Sequence, residues 1–400
     1  MSKLEQLINE FCPDGVEYDF LHTVIDYEQP AKYIVKETKY NDDFNTPVLT
    51  AGQTFILGYT NEIDGIYEAS KKCPVIIFDD FTTSFHWVEF NFKVKSSAMK
   101  MLKLKEDKID DTSFRYLYHA MKNIRYIPTD HTRQWIEKYS KFKIPLPPFP
   151  VQEEIARILD SFTDLTANLT AELKARKQQY EYYRNILLTF GDDVEWDILG
   201  KLLQPKGYIR GPFGSALKKE FFVKEGVPVY EQQHAIYNKR DFRYFIDSDR
   251  AEKLKRFMVQ PNDIIISCSG TIGKISIINC KDKIGIINQA LLILRFDLSK
   301  VKVEYIKYYL ECFTNLIVCS TGGAITNIEK REIIEKIKIP VPSIEEQDRI
   351  IKKLNSFDTL CNDINKGLPA EIKARQKQYE FYRNKLLNFK EKEAMGNEQL

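Results

Sequence analysis

ELKARKQQYEYYRN, Glu172 to Asn185, returns as EIKARQKQYEFYRN, Glu371 to Asn384. Extended to Glu172–Phe190, the second copy is identical at 13 of 19 positions, a density that marks an internal duplication. The duplication reaches upstream. KIPLPPFPVQEEIARILDSF (Lys143–Phe162) aligns without gaps with KIPVPSIEEQDRIIKKLNSF (Lys338–Phe357), sharing an Ile-Pro-x-Pro lead-in, a glutamine (Gln152, Gln347) and a closing Ser-Phe. A fainter echo, VEYDFL (Val16–Leu21) against VEWDIL (Val194–Leu199), opens each intervening block. The plan is block, long segment, block, long segment, with expected boundaries 1–149, 150–190, 191–340 and 341–390 and a flexible tail over 391–400.

Apolar residues in the long segments recur at steps of three and four, which predicts helices pairing along a heptad seam. In the first segment the seam is Phe162, Leu165, Leu169, Leu173, Arg176, Tyr180, Tyr183 and Leu187. In the second it is Leu354, Phe357, Leu360, Ile364, Leu368, Ile372, Arg375, Tyr379, Tyr382 and Leu386. Two such seams in one chain predict an intramolecular coiled coil. Prolines at 145, 147, 148 and 150 place the first helix start near Val151, and GDD at Gly191–Asp193 ends it. The second segment carries four extra residues between its leucines at 360 and 368, a stutter in which Gly367 and Pro369 predict a break and a restart. The first contains TANLTAEL (Thr166–Leu173), two tandem tetrads, each worth about 6 Å of helix.

Both blocks read as α+β. NDIIISCSGTIGKISIINC (Asn262–Cys280) is strand, tight turn and strand, with a further strand in ALLILRF (Ala290–Phe296); CPVIIFDDFTTSFHWVEFNFKV (Cys73–Val94) is its counterpart. SFRYLYHAM (Ser113–Met121) and YIKYYLECF (Tyr305–Phe313) are helix candidates at matching places.

Composition narrows the class. An apolar content of 43% is globular, and seven cysteines without a C-x-x-C pair read as reduced thiols, neither a disulfide framework nor a zinc site. No signal sequence or membrane span is legible, so a soluble cytoplasmic protein without a membrane partner is expected. The net charge of +2 hides an asymmetry. Residues 1–150 carry 19 Lys and Arg against 22 Asp and Glu, net −3, while residues 191–340 carry 24 against 19, net +5. Two runs, Lys93–Lys108 and Lys239–Phe257, read either as solvated helix faces or as phosphate-contacting strips.

Catalytic signatures fail one by one. LPPF (Leu146–Phe149) has leucine where amino-methyltransferase chemistry needs a carboxylate or amide. GTIGK (Gly270–Lys274) is too short for a phosphate loop. Pro13-Asp14 with ETK (Glu37–Lys39) mimics a nuclease signature, but such tripeptides arise freely in a chain with 29% charged residues. The five histidines show no ligand spacing, so no metal is expected. His234 alone, beside Gln232 and Gln233, has neighbours suited to base edges.

With the duplicated lead-in and the AE[LI]KAR…QYE[YF]YRN…LL helices in view, the whole chain resembles the specificity subunit of type I restriction–modification enzymes. The resemblance implies two tandem target-recognition domains, each reading one half of a split double-stranded DNA sequence. It also implies two helices packed antiparallel in a pseudo-two-fold molecule, acting as a spacer and docking two modification subunits. The chain itself would hold no cofactor. S-adenosylmethionine, ATP and magnesium would belong to partner methyltransferase and restriction/translocase subunits. DNA-reading candidates on predicted loops are Thr50, Gly52, Gln53 and Tyr59, then Thr82, Thr83 and Ser84 in the first block. In the second they are Gly211, Phe213, Ser215 and Lys218, Gln232, Gln233 and His234, and Ser269, Thr271 and Lys274. Docking candidates lie off the seam at Lys174, Lys177, Glu181 and Arg184, repeated at Lys373, Lys377, Glu380 and Arg383. A coiled-coil scaffold that does not bind DNA, or a stand-alone nuclease or methyltransferase, are the competing readings.

Overall fold

The computed structural model describes residues 2–52, 54–212, 214–321, 325–363 and 365–393. Two compact units emerge, residues 1–170 with 371–400 and residues 171–370, so each unit owns one block and a portion of both long segments. The sequential boundaries expected from the repeat therefore cut differently from the packing, because the apolar faces of the helices are buried against the blocks as well as against each other.

The blocks share one topology. In the first, a four-stranded antiparallel sheet has the order Ile25–Glu28, Met99–Leu104, Val75–Asp79, Phe85–Val88. In the second the order is Leu203–Arg210, Leu291–Phe296, Ile264–Ser267, Ile275–Ile277. Each also has a three-stranded mixed sheet, Ile56–Thr60, Thr46–Leu49, Lys93–Val94 against Phe245–Ile246, Val227–Tyr230, Ile286–Ile287. A two-stranded ladder joins the opening echo to the Ile-Pro lead-in in each case, Glu17–Phe20 with Lys143–Leu146 and Trp196–Ile198 with Lys338–Pro340. The turns DDFTTS and SGTIGK, which share no wording, thus close equivalent hairpins. Fully enclosed runs such as Val75–Phe78 and Ile264–Ile266 explain the continuous apolar strands: each is covered on both faces.

The Lys93–Lys108 run is not a helix face: it holds the strands Lys93–Val94 and Met99–Leu104. Two of its six lysines turn inward: Lys100 pairs with Asp80 at 3.2 Å, both fully buried, and Lys93 pairs with Glu62 at 3.0 Å. Removing either partner would leave an uncompensated buried charge.

The central helix is continuous over Phe149–Leu188. It starts two residues earlier than Val151, since Pro150 is tolerated in a first turn whose N–H groups lack partners anyway. The second segment is broken, as Gly367 and Pro369 predict, into Ile344–Asn362 and Leu368–Leu386. A side chain at Gly367 would collide with the carbonyl oxygens of Thr359 and Leu360, so glycine is required where the loop folds against the end of the preceding helix.

The glutamine shared by the two lead-ins is a structural clamp. In the first unit buried Gln152 accepts from Ser113 N–H at 2.9 Å and donates to Pro147 carbonyl at 2.7 Å. In the second, Gln347 accepts from Lys302 N–H at 2.8 Å and donates to Pro342 carbonyl at 2.9 Å. Both clamps hold the start of a block helix (Phe114–Asn123, Val303–Cys312) against the start of a long helix. A tyrosine on each block helix repeats the pattern, Tyr116 donating to Pro145 and Tyr305 to Pro340.

Near their starts the long helices are deeply buried at Val151, Ile155, Leu159 and Ile350, ahead of the heptad seam, and at the seam residue Leu354, because there they face the blocks. Farther along they pair antiparallel within each unit. Phe162 stacks on Tyr382 at 5.2 Å, and Ile158 neighbours Leu386. Phe357 lies 6.2 Å from Tyr180 and 5.7 Å from Tyr183, and Leu173 and Leu187 pack into the same core. Leu169, Leu360, Ile372 and Tyr379 are half-buried and Leu368 is buried, whereas Leu165 is 37% exposed; Ile364 lies outside the described residues.

Candidate nucleic-acid interface and twin helix faces

In the second block, several separate stretches meet at one end of the four-stranded sheet. The turn Ser269–Lys274 is held from below by Ser267, whose hydroxyl donates to Thr271 carbonyl at 2.6 Å and accepts from Lys274 N–H at 3.0 Å. Ser269, Thr271 and Lys274 are left exposed. The Gln232 amide lies against the same turn, 3.4 Å from where a side chain on Gly270 would start. Gly211 N–H donates to Leu291 carbonyl, Cys268 N–H to Ala290 carbonyl and Asn288 N–H to Tyr230 carbonyl, so the 288–290 loop ties these stretches together. That loop carries Asn288 and Gln289, amides the sequence reading passed over; their place in a short turn between the strands Ile286–Ile287 and Leu291–Phe296 was the available signal.

His234, expected at base edges, lies in the core instead. Its ring is fully enclosed, stacked on Phe242 at 4.8 Å and edge-on to Tyr230. Glu231 N–H donates to Nδ1 at 2.7 Å and Nε2–H donates to Asp241 carbonyl at 3.1 Å, while burial pushes the imidazole below its usual pKa. A neutral, doubly bonded core histidine props up the short helix that carries Gln232 and Gln233; it does not face solvent. Gly211 is likewise buried, so only its backbone borders the edge. Lys218 is exposed beside Glu220, and Ser215 sits in the 3-10 turn Gly214–Leu217. Gln53 and Phe213 lie outside the described residues.

The first block brings its two candidate loops together through a histidine. His86, two residues past the hairpin turn, donates from Nε2 to Gly52 carbonyl at 3.0 Å and packs on Phe55 at 4.7 Å. Thr50 spans its own loop by donating to Thr54 carbonyl. In the turn, Thr82 N–H donates to Asp79, Ser84 N–H donates to the Thr82 hydroxyl, and Thr83 is buried with a φ of 58°, leaving Thr82 as the exposed hydroxyl. Tyr59 is half-buried on the strand Ile56–Thr60 beside exposed Ile56 and Leu57.

The repeated helix segments expose Lys174, Lys177 and Glu181, and again Lys373, Lys377 and Glu380. Arg184 and Arg383 differ: each is half-buried over a tyrosine of its own helix, Arg184 over Tyr180 at 5.6 Å and Arg383 over Tyr379 at 5.5 Å. Burial raises both tyrosines to about 12. What the seam analysis left out are Tyr182 and Phe381, aromatics at equivalent positions that are 63% and 62% exposed. The signal was present in the aromatic one residue before each seam tyrosine. The twin faces have different neighbours. Burial, then Arg115 and Arg383, lowers Lys122 to about 8, whereas at the matching place in the second unit burial raises Glu311, with Lys307 and Arg184 opposing it.

A family model described as type I restriction modification DNA specificity domain matches residues 13–176 and again 214–374. The specificity subunit of the type I restriction enzyme EcoR124I/EcoR124II of Escherichia coli is 41% identical over 422 aligned residues, which cover 99% of each chain. Two solved structures share the fold. The type I restriction–modification S subunit from M. genitalium aligns with a TM-score of 0.54 over 93% of this chain and 96% of its own, at 14% identity. A chain from work on complex assembly and conformational transition of the type I R-M system gives 0.57 over 94% and 98%, at 16% identity.

Proposed function

Because this chain belongs to the specificity subunits of type I restriction–modification enzymes, we propose that its two blocks each read one half of a split, asymmetric double-stranded DNA site. The observation that carries this is the shared topology with divergent turns. Equivalent hairpins end in DDFTTS and SGTIGK, so one scaffold presents two different sets of hydroxyls, amides and cations to base edges. Within the second unit the readers are Gln232, Ser269, Thr271 and Lys274, joined by Asn288 and Gln289; in the first they are the Thr50–Tyr59 loop and Thr82. Like its family, the chain is non-catalytic. Methyl transfer from S-adenosylmethionine and ATP- and magnesium-dependent translocation and cleavage belong to partner chains in the cytoplasm. No helix among the described residues is long and apolar enough to cross a membrane.

Expression with a modification partner, followed by methylome sequencing, is expected to reveal one bipartite motif with unlike halves. Substituting Gln232 and Thr271 should relax only one half; loss of specificity in both halves, or no motif at all, would sink this reading.

Two modification subunits would dock on the repeated helix faces. Tyr182 and Phe381 are the anchors best suited to it, since aromatic residues are enriched at interfaces and dominate their hot spots and these two are largely exposed. Tyr182→Ala together with Phe381→Ala should weaken capture of modification subunits by about 2 kcal/mol per site, roughly 30-fold, with unfolding unchanged. Retained stoichiometry at nanomolar concentration in sedimentation would refute those anchors.

A further inference from the structure

Beside the reading edge of the second block lies a cleft of about 480 Å³ that the loop candidates did not include. Arg210, Arg256, Lys330 and Arg331 line it, against a single lining carboxylate, Glu329. Two of the guanidinium groups lie near aromatic rings, Arg331 over Tyr208 at 5.3 Å and Arg256 by Phe257 at 6.0 Å. Arg331 is also ion-paired with Glu335 at 2.8 Å, and Arg210 donates to Leu291 carbonyl at 3.2 Å. Arg256 and Lys330 are exposed and, among the described residues, enter no ion pair.

Position gives these charges a partner. Gly211 forms part of the cleft wall and, through its bond to Leu291, part of the reading edge; a side chain there would collide with Asn288 carbonyl at 1.9 Å. The cleft therefore opens next to the loops that would meet base edges, where a duplex held by those loops presents its phosphates. Planar guanidinium forks and a lysine suit phosphate oxygens, and such contacts fix register without reading sequence. The first block offers a different surface: it is net negative, and its reading loops expose Ile56, Leu57 and Phe81.

We infer that the Arg210–Arg256–Lys330–Arg331 cleft seats backbone phosphates of the half-site read by the second block, which thereby carries the larger share of salt-dependent affinity. This rests on the DNA-reading function proposed above.

The test uses the full chain assembled with its modification subunits and a duplex carrying the methylated motif. Each phosphate contact contributes about 0.9 to the slope of log affinity against log salt. Arg256→Gln with Lys330→Gln should flatten that slope by roughly 2, so that affinity falls about tenfold less than wild type between 50 and 200 mM salt. Binding at low salt should drop equally on target and non-target duplexes, the methylated motif should stay the same, and Arg256→Lys should keep its share of the slope. An unchanged slope overturns the inference. So does an altered second half of the motif, which would make the cleft a base reader. Inhibition by inorganic phosphate that the variant abolishes, with the DNA slope intact, would assign the cleft to a free phosphate ligand instead. A wild-type complex that binds all duplexes alike would overturn the DNA-reading function itself, not merely the cleft.

Discussion

Duplicating Thr170–Leu173 is expected to move the methylated motif to a gap one or two base pairs longer while leaving both half-sites intact. The insertion adds one tetrad to the part of the central helix where Thr166 and Thr170 bond back to the carbonyls of Phe162 and Thr166 at 2.9 and 2.7 Å. Four residues lengthen a helix by about 6 Å and turn it by about 400°, a net 40°. On B-DNA, two base pairs supply about 6.8 Å, while one base pair supplies about 34–36° of twist. Translation favours two and rotation favours one, which sets the range. Three of the tetrad's side chains, Thr170, Ala171 and Glu172, are exposed, the duplicate supplies a second leucine in step with half-buried Leu173, and the net turn is small enough to keep the seam residues on their side. Activity on the original site should fall below detection in the same methylome, because both half-sites would no longer fit together. A variant that folds and still methylates the parental gap would show that the central helix does not measure the spacing.

Gln347→Leu should cost about 3 kcal/mol of stability, and Gln152→Leu a similar amount. Leucine fills the space but strands Lys302 N–H and Pro342 carbonyl in a site from which water is excluded, at about 1–3 kcal/mol for each buried unpaired group. Gln347→Glu is no rescue: it keeps an acceptor for Lys302 but loses the donor to Pro342 and brings a charge into the core. The paired substitutions carry their own control. Gln152 serves the first unit and Gln347 the second, so chemical denaturation followed by hydrogen exchange should localise each loss to its own unit. A change below about 0.5 kcal/mol for both would mean that the clamp is dispensable.

The duplication made most of the architecture readable in advance. Matching strands, matching block helices, the continuous first helix and the broken second one all follow from patterns of proline, glycine and apolar period, which act locally. What failed needed tertiary knowledge. Lys93 and Lys100 look like surface cations because nothing nearby in sequence announces Glu62 or Asp80, their buried partners. His234 looked available because its enclosing groups, Phe242 and the Asp241 carbonyl, arrive from a loop whose path a linear pattern does not give. The long helices read as a seam between two rods, although Val151, Ile155, Leu159 and Ile350, outside that seam, are fully buried against the blocks. Of the candidate contacts, turn hydroxyls and amides such as Thr82, Gln232 and Thr271 do reach the surface. The arginine cleft is illegible in the sequence because its cations come from three separate places between residues 210 and 331.

The two ends of the described chain are fastened to each other. Val16 N–H donates to Lys390 carbonyl and Lys392 N–H to Val16 carbonyl, both at 2.9 Å, and Tyr18 donates to Phe389 carbonyl. In the second unit the corresponding place is an uninterrupted connection from the central helix through Gly191–Asp193 into the strand Trp196–Ile198. A join that the second unit makes through the chain itself, the first unit makes through hydrogen bonds. The first unit's join can therefore open without breaking a covalent bond, which the second unit's cannot.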